Sequence, residues 1–299
     1  MSHTYTVPGV LTRIDPSGPE LPVIFDSPHS GSDYPDDFAH AAPLEKLRMA
    51  EDAWVDELYS RAPAHGATLL HALFPRSYID PNRHALDIDT RMLAGPWPGE
   101  LRPTRKSEVG MGLIRRNVRD GLPLYKRSLE VAEVQRRIET YYDPYHDELE
   151  AIAARLHGKF GAVWHVNCHS MRSSLGRNPR PPTWKPNFIV SNLDGQTSDE
   201  PFLNLIGDFF RERGHTVLIN RPFKGGEIVR RQGQPEINRH SVQIEINRKI
   251  YMDEVTLQKH DGFAELQETL TALIRAICEH ARCHDSRANH TRSNPAAGA

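Results

Sequence analysis

A single three-layer α/β/α domain around a mixed, largely parallel sheet is the fold this sequence predicts. Three observations predict it. Short runs rich in β-branched and aromatic residues alternate with helical stretches along the whole chain. Two of those runs lead into a histidine, at Ser27-Pro28-His29-Ser30-Gly31 and at Asn167-Cys168-His169-Ser170. Strand ends are where ligands collect in open α/β sheets. The chain has 299 residues, 38% hydrophobic and 25% charged, with no long structureless spacer, which suits one domain over residues 1–283.

Residues 1–20 read as a lead-in with a short strand at Tyr5-Thr6-Val7. Val23–Asp26 is a strand that delivers the His29 turn, where Pro28 and Gly31 shape the backbone. Leu44, Leu47, Trp54, Val55 and Leu58 recur at helical spacing, so residues 43–62 are expected as a helix that contains Glu51 and Asp52 and ends at Pro63. A strand at Ala67–Leu70 follows, with a possible short one at Tyr78-Ile79 before the Asp80-Pro81-Asn82 turn. Residues 84–125 carry Gly and Pro without clear periodicity and are expected as a loop over the site.

Val131, Val134, Ile138, Tyr142, Tyr145, Leu149, Ile152 and Leu156 line one helical face over 126–157, kinked or divided at Pro144. The strand Val163–His169 comes next, then a Pro-rich loop, Gly176–Pro186, and a strand at Asn187–Val190. Asp199–Arg213 is a helix ended at Gly214. A strand at Thr216–Asn220 opens into the loop Pro222–Arg230. His240–Asn247 alternates as a strand, with Gln243, Glu245 and Asn247 on one face. A last helix covers 255–282, and residues 284–299 form a polar tail expected to be disordered.

Thirty-seven basic residues against 39 acidic ones give a net charge of −2, so nothing in the bulk charge favours nucleic acid or a membrane surface. Three cysteines make no disulfide framework. No run reaches the roughly 20 apolar residues of a membrane span, and Met1–Tyr5 has no signal-peptide pattern. A cytoplasmic enzyme is expected.

The residues offer zinc chemistry. A catalytic zinc takes three protein ligands, leaves one position open and lowers the pKa of its water to roughly 7. His29 and His169 supply two ligands, Asp52 or Glu51 the third, and Glu245 serves as general base. The plainer alternatives are a solvated helix face for Glu51 and Asp52, an Asp52–Arg48 pair, and a solvent-facing row at 243, 245 and 247. Cys168 is set aside as a nucleophile because adjacent strand residues face opposite ways. Arg83, Arg91 and Arg230 fall in flanking loops, and arginine pairs bidentately with carboxylates, which points to a small dianionic substrate.

In combination these stretches resemble the N-formylglutamate amidohydrolase family. The resemblance is carried by Ser27–Gly31, Glu51–Tyr59, Ser77–Arg83, Asp143–His146, Asn167–Met171 and Gly225–Arg230, continuing through Gly233, Pro235, His240, Gln243, Glu245 and Tyr251–Glu254. It implies a zinc-peptidase-like, phosphorylase/hydrolase-like fold with one zinc ion per chain, another divalent metal being the alternative. It places the metal on His29, Asp52 and His169, choosing Asp52 over Glu51, and the base on Glu245. Arg83, Arg230 and His240 match positions that line the substrate pocket. The implied reaction converts N-formyl-L-glutamate and water to formate and L-glutamate. Two alternatives remain: deacylation of another N-acyl amino acid or small cell-wall peptide, and a metal- or carboxylate-binding protein without turnover.

Overall fold

The computed structural model describes residues 3–118, 121–173 and 186–292, with side chains as far as residue 284. Eight strands form one sheet among these residues: β1 (Thr4–Val7), β2 (Leu11–Ile14), β3 (Val23–Ser27), β4 (Thr68–Ala72), β5 (Val163–Met171), β6 (Phe188–Ser191), β7 (Val217–Ile219) and β8 (Arg239–Asn247). Their order is β1-β2-β4-β3-β5-β8-β6-β7. The centre, β4-β3-β5-β8, is parallel. β1, β2 and β6 pair antiparallel with their inner neighbours, and β7 returns parallel to β6. The predicted mixed, largely parallel sheet is therefore present.

The helices are α1 (Leu44–Arg48), α2 (Val55–Leu58), α3 (Arg105–Glu108), α4 (Val131–Arg137), α5 (Asp143–Phe160), α6 (Glu200–Arg211), α7 (Glu227–Gln232) and α8 (Gly262–Arg292). On one face of the sheet Trp164, Val166, Cys168, Val242, Ile244 and Ile246 pack with residues of α2, α6 and α8. On the other, Ile24, Leu70, Ala72 and Val163 pack with α5 and with residues 74–129. The sheet is thus covered on both sides, as parallel strands require.

Several elements differ from expectation. The segment read as one helix over 43–62 is two short helices with a break between them, because Trp54 adopts a left-handed backbone (φ 67°). Glu51 and Asp52 lie in that break rather than on a helix face. Tyr78 and Ile79 are buried outside the strands. α4 and α5 are joined by a π-helical turn, Ile138–Tyr142, and Pro144 sits in the first turn of α5, where its missing N–H costs nothing. β5 runs on to Met171, so His169 lies within the strand. The loop Pro222–Arg230 gives way to α7 at Glu227. The last helix starts at Gly262 and continues past His284 to Arg292, where a disordered tail was expected. Residues 293–299, and most of the Pro-rich loop after Gly176, lie outside the described residues.

Candidate metal centre and active site

Three segments bring the site together. His29 follows β3 in a turn pressed against the backbone of Leu73 and Phe74, where a Cβ on Gly31 would meet the Phe74 carbonyl oxygen at 2.3 Å. Only glycine fits there, so the turn holds its shape. The break between α1 and α2 is tied to it: the Asp52 N–H donates to the His29 carbonyl at 2.9 Å. Arg248, just past β8, secures that break from the other side. Its guanidinium donates to Asp52 Oδ1 (2.9 Å), the Met49 carbonyl (3.0 Å), Ser170 Oγ (3.0 Å) and the Glu51 carbonyl. His169 enters from β5.

The result is a buried cluster. His29 Nδ1 lies 3.1 Å from His169 Nδ1 and 3.3 Å from Asp52 Oδ2, and His169 Nδ1 lies 2.9 Å from the same oxygen. All three residues are buried. The far nitrogens decide which way the imidazoles face. His29 Nε2 donates to Asp80 Oδ1 at 2.7 Å. Burial would raise the Asp80 pKa, but the charge of Arg76, followed by His29 and Arg83, holds it well below the usual carboxylate range, so it is an acceptor. His169 Nε2 lies 2.7 Å from Asn167 Oδ1. The Asn167 amide is oriented by its own donation to Asp26 Oδ1 at 2.8 Å, which leaves its oxygen toward His169. The Asn82 amide nitrogen also approaches His169 Nε2, at 3.1 Å, a longer contact than the one to Asn167.

With both ring protons on Nε2, two Nδ1 lone pairs converge on a carboxylate oxygen. Burial lowers the pKa of His169 against the pull of its contact with Asp52, which disfavours an imidazolium there. Converging acceptors without protons repel one another in a buried site. A divalent cation removes that repulsion, and two imidazoles with one carboxylate are a donor set that zinc accepts. Outer partners on both histidines are the usual accompaniment of such ligands. The residues present fit a metal.

Glu245 sits on β8 directly across from His169 in the parallel register. Its face of the sheet, with His165, Asn167, Ser241 and Gln243, is polar but covered by protein, not by solvent. Gln243 Nε2 donates to Glu245 Oε1 at 3.0 Å. Surrounding protein encloses the carboxylate while the pocket leaves it partly accessible. That burial, with repulsion from Asp52, pushes its pKa well above the usual range against the pull of Arg76, Arg248 and Arg83.

The cluster opens into a pocket of about 890 Å³ that Glu245, Arg76, Arg83, Arg115, Lys106 and Arg248 also line. Arg83 is where the sequence placed it, anchored through Nε to the Met111 carbonyl (3.2 Å) and through Nη1 to the Asn82 carbonyl (2.9 Å).

Three expected pocket residues are elsewhere. Arg91 is captured by its near neighbour Asp89 (2.7 and 3.0 Å) and points away from the pocket. Arg230 lies on the outer side of α7, beside Glu227 at 3.9 Å, because Ile228 and Val229 take the buried side. His240 is at the opposite end of β8 from the cluster, and an odd separation from Glu245 turns it to the other face, against Trp164 at 6.1 Å. Period-two alternation already contained that last result. Glu51 stands outside the cluster as well. It accepts from Tyr34 (2.7 Å) and pairs with Arg48 (3.5 Å), while Asp52 takes Arg248 instead of Arg48.

Residues missed in the sequence include Asp80, Asn167, Arg76, Arg115, Lys106 and Arg248. Asn167 had a signal, standing two residues before His169 and hence on its face. The Asp143–His146 stretch also acquires a role. Tyr145 donates to Asp26 at 2.9 Å. His146, kept neutral by burial with a pKa of about 3, donates to the Pro81 carbonyl at 2.9 Å. Together they hold the partners of both histidines against α5.

Known proteins resemble this chain in sequence and fold. Residues 21–252 match the family described as N-formylglutamate amidohydrolase. The chain is 29% identical over 265 residues to an N-formylglutamate deformylase of Pseudomonas putida, covering 86% of this chain and 92% of that protein. It superposes on the crystal structure of N-formylglutamate amidohydrolase from Ralstonia eutropha JMP134 with a TM-score of 0.88 and 44% identity, covering 92% of this chain and 99% of that one. A gene product of Agrobacterium tumefaciens, 16% identical with a TM-score of 0.65 over 91% of this chain and 95% of that one, shares the fold. With the match spanning every segment that builds the site, the chain belongs to the N-formylglutamate amidohydrolase family.

Proposed function

We propose that this protein hydrolyses N-formyl-L-glutamate to formate and L-glutamate, with one zinc ion held by His29, Asp52 and His169. The observation that carries the reading is the convergence of two imidazole nitrogens and a carboxylate oxygen within 3.3 Å of one another, with Glu245 one strand away in register with His169. The names of the relatives supply the substrate. The surplus of arginine and lysine around the pocket suits a molecule with two carboxylates. Residues 1–283 serve as one catalytic domain, since the site draws on positions from 29 to 248. Among the described residues no helix is long and apolar enough to cross a membrane.

When bound, the zinc supplies a Lewis acid for the formyl oxygen and makes water acidic enough to attack at neutral pH. Glu245 accepts the proton of the attacking water and returns it to the amide nitrogen as the carbon–nitrogen bond breaks. Asp80 and Asn167 hold the two imidazoles in the tautomer that leaves Nδ1 free. Arg248 holds Asp52 in place.

The test is elemental analysis together with formate release from N-formyl-L-glutamate. About one zinc per chain and steady formate production are expected, with activity lost on chelation and restored by zinc. N-acetyl or N-succinyl glutamate turned over far faster than the formyl compound would move the reading to another acyl group. Bound zinc with no product from any of them would leave a binding protein.

The outer partners give a second expectation. Asn167→Ala removes the acceptor for His169 Nε2, and zinc affinity should fall about 10–100-fold, read by competition with a chromophoric chelator. An unchanged affinity would show that Asn167 does not orient the ligand.

A further inference from the structure

The pocket contains a guanidinium that the protein itself leaves almost unpaired. The Arg115 side chain is 6% exposed. Its Nε has no hydrogen-bond partner among the described residues. Among the described residues its one ion-pair contact is Nη2 to Asp80 Oδ2 at 3.5 Å. That oxygen already accepts two hydrogen bonds from Arg76, at 3.1 and 2.8 Å, while the other oxygen of Asp80 serves His29. One carboxylate is thus shared by Arg76, Arg115 and His29. Arg83 lines the same pocket and has spent Nε and Nη1 on neutral carbonyls. Lys106 lines it as well. A buried cation without a matching anion is costly, so a ligand anion is the natural complement.

We propose that Arg115, with Arg83 and Lys106, forms the subsite that receives the side-chain carboxylate of the substrate and so sets the preference for acidic over neutral N-acyl amino acids. This rests on the amidohydrolase reading above. The order of contacts says which carboxylate it takes. Arg76 reaches both Asp80 and the ligand Asp52 (3.8 Å), so it stands next to the reacting atoms. Arg115 pairs with Asp80 and, among the described residues, with no metal-site carboxylate, so it stands farther out. The α-carboxylate is on the carbon that bears the scissile amide nitrogen and belongs near the metal. The side-chain carboxylate is two methylenes beyond and reaches the outer cation.

The experiment measures kcat and KM for N-formyl-L-glutamate and N-formyl-L-glutamine with wild type, Arg115→Gln and Lys106→Gln, each checked for zinc content and melting temperature. Wild type should prefer the acid by about 100-fold or more in kcat/KM. In Arg115→Gln the value for the acid should fall about 100-fold, chiefly through KM, while that for the amide moves less than about threefold. Lys106→Gln, at the exposed rim of the pocket, should narrow the preference by about tenfold. A parallel loss on both substrates in a folded Arg115→Gln protein, or an unchanged preference, overturns the assignment. If Arg115→Gln does not fold, Lys106→Gln decides, and an undiminished preference there overturns it. Failure of the catalytic reading looks different: wild type would release no formate from N-formyl-L-glutamate. The preference between glutamate and glutamine would then be read on whichever acyl group is cleaved.

Discussion

Glu245→Gln should retain zinc at the wild-type level and lose about 10³-fold in kcat, with KM little changed, because a glutamine of the same shape cannot take the proton of the attacking water. Its position opposite His169 is set by the β5–β8 register, so substitution leaves the cluster intact. The pH behaviour carries a sign. Glu245 must be ionised to act as base, and burial together with Asp52 raises its pKa. Activity is therefore lost as pH falls through that raised value, and the residual activity of the variant lacks this acid limb. Stability runs the other way. A carboxyl group whose folded pKa is raised contributes stability below its unfolded pKa and loses it as pH rises through the folded value. Metal-free Glu245→Gln should thus melt higher than metal-free wild type at neutral and alkaline pH. Full turnover in the variant, with zinc bound, would end the assignment of the base.

His169→Ala should lose the metal and the activity together. Removing a ligand exceeds the effect of removing its outer partner, so zinc affinity falls by more than about 100-fold. Elemental analysis after dialysis and formate release report the two losses independently. Asp52→Ala belongs with it, and Glu51→Gln is the control, because Glu51 faces Tyr34 and Arg48 rather than the cluster. Zinc retained in His169→Ala, or lost in Glu51→Gln, would place the metal elsewhere.

Much of this was legible along the chain. The strand at Val23, the long strand at Val163 and the alternating strand at His240 were plain from β-branched runs and period-two patterning, and with them the layered fold. His29 and His169 stood out as histidines at or near strand ends. Asp52 and Glu51 did not separate on periodicity, because the pattern read as one helix is interrupted by the left-handed backbone of Trp54. Trp54 carries no local signal for that conformation. The arginines were harder. Arg91 and Arg230 looked like substrate ligands by their loops, but near neighbours and helix geometry turned them outward. Arg115 sat in a stretch with no periodicity at all, and it faces the pocket.

The sequence by itself determined the β/α alternation, the faces of the central strands and the chemistry available at their ends, since these depend on neighbours two to four residues apart. Local pattern left Asp52 and Glu51 undivided, and the tertiary structure brings Asp52, the carboxylate that the family resemblance favoured, beside the two histidines and decides which further cations join Arg83 in the pocket. Asp52 meets His169 from 117 positions away, His29 meets His169 from 140, and Arg248 holds Asp52 from 196. Contacts of that span are chosen by sheet order and by competition among buried charges for few partners, and local patterning carries no record of either.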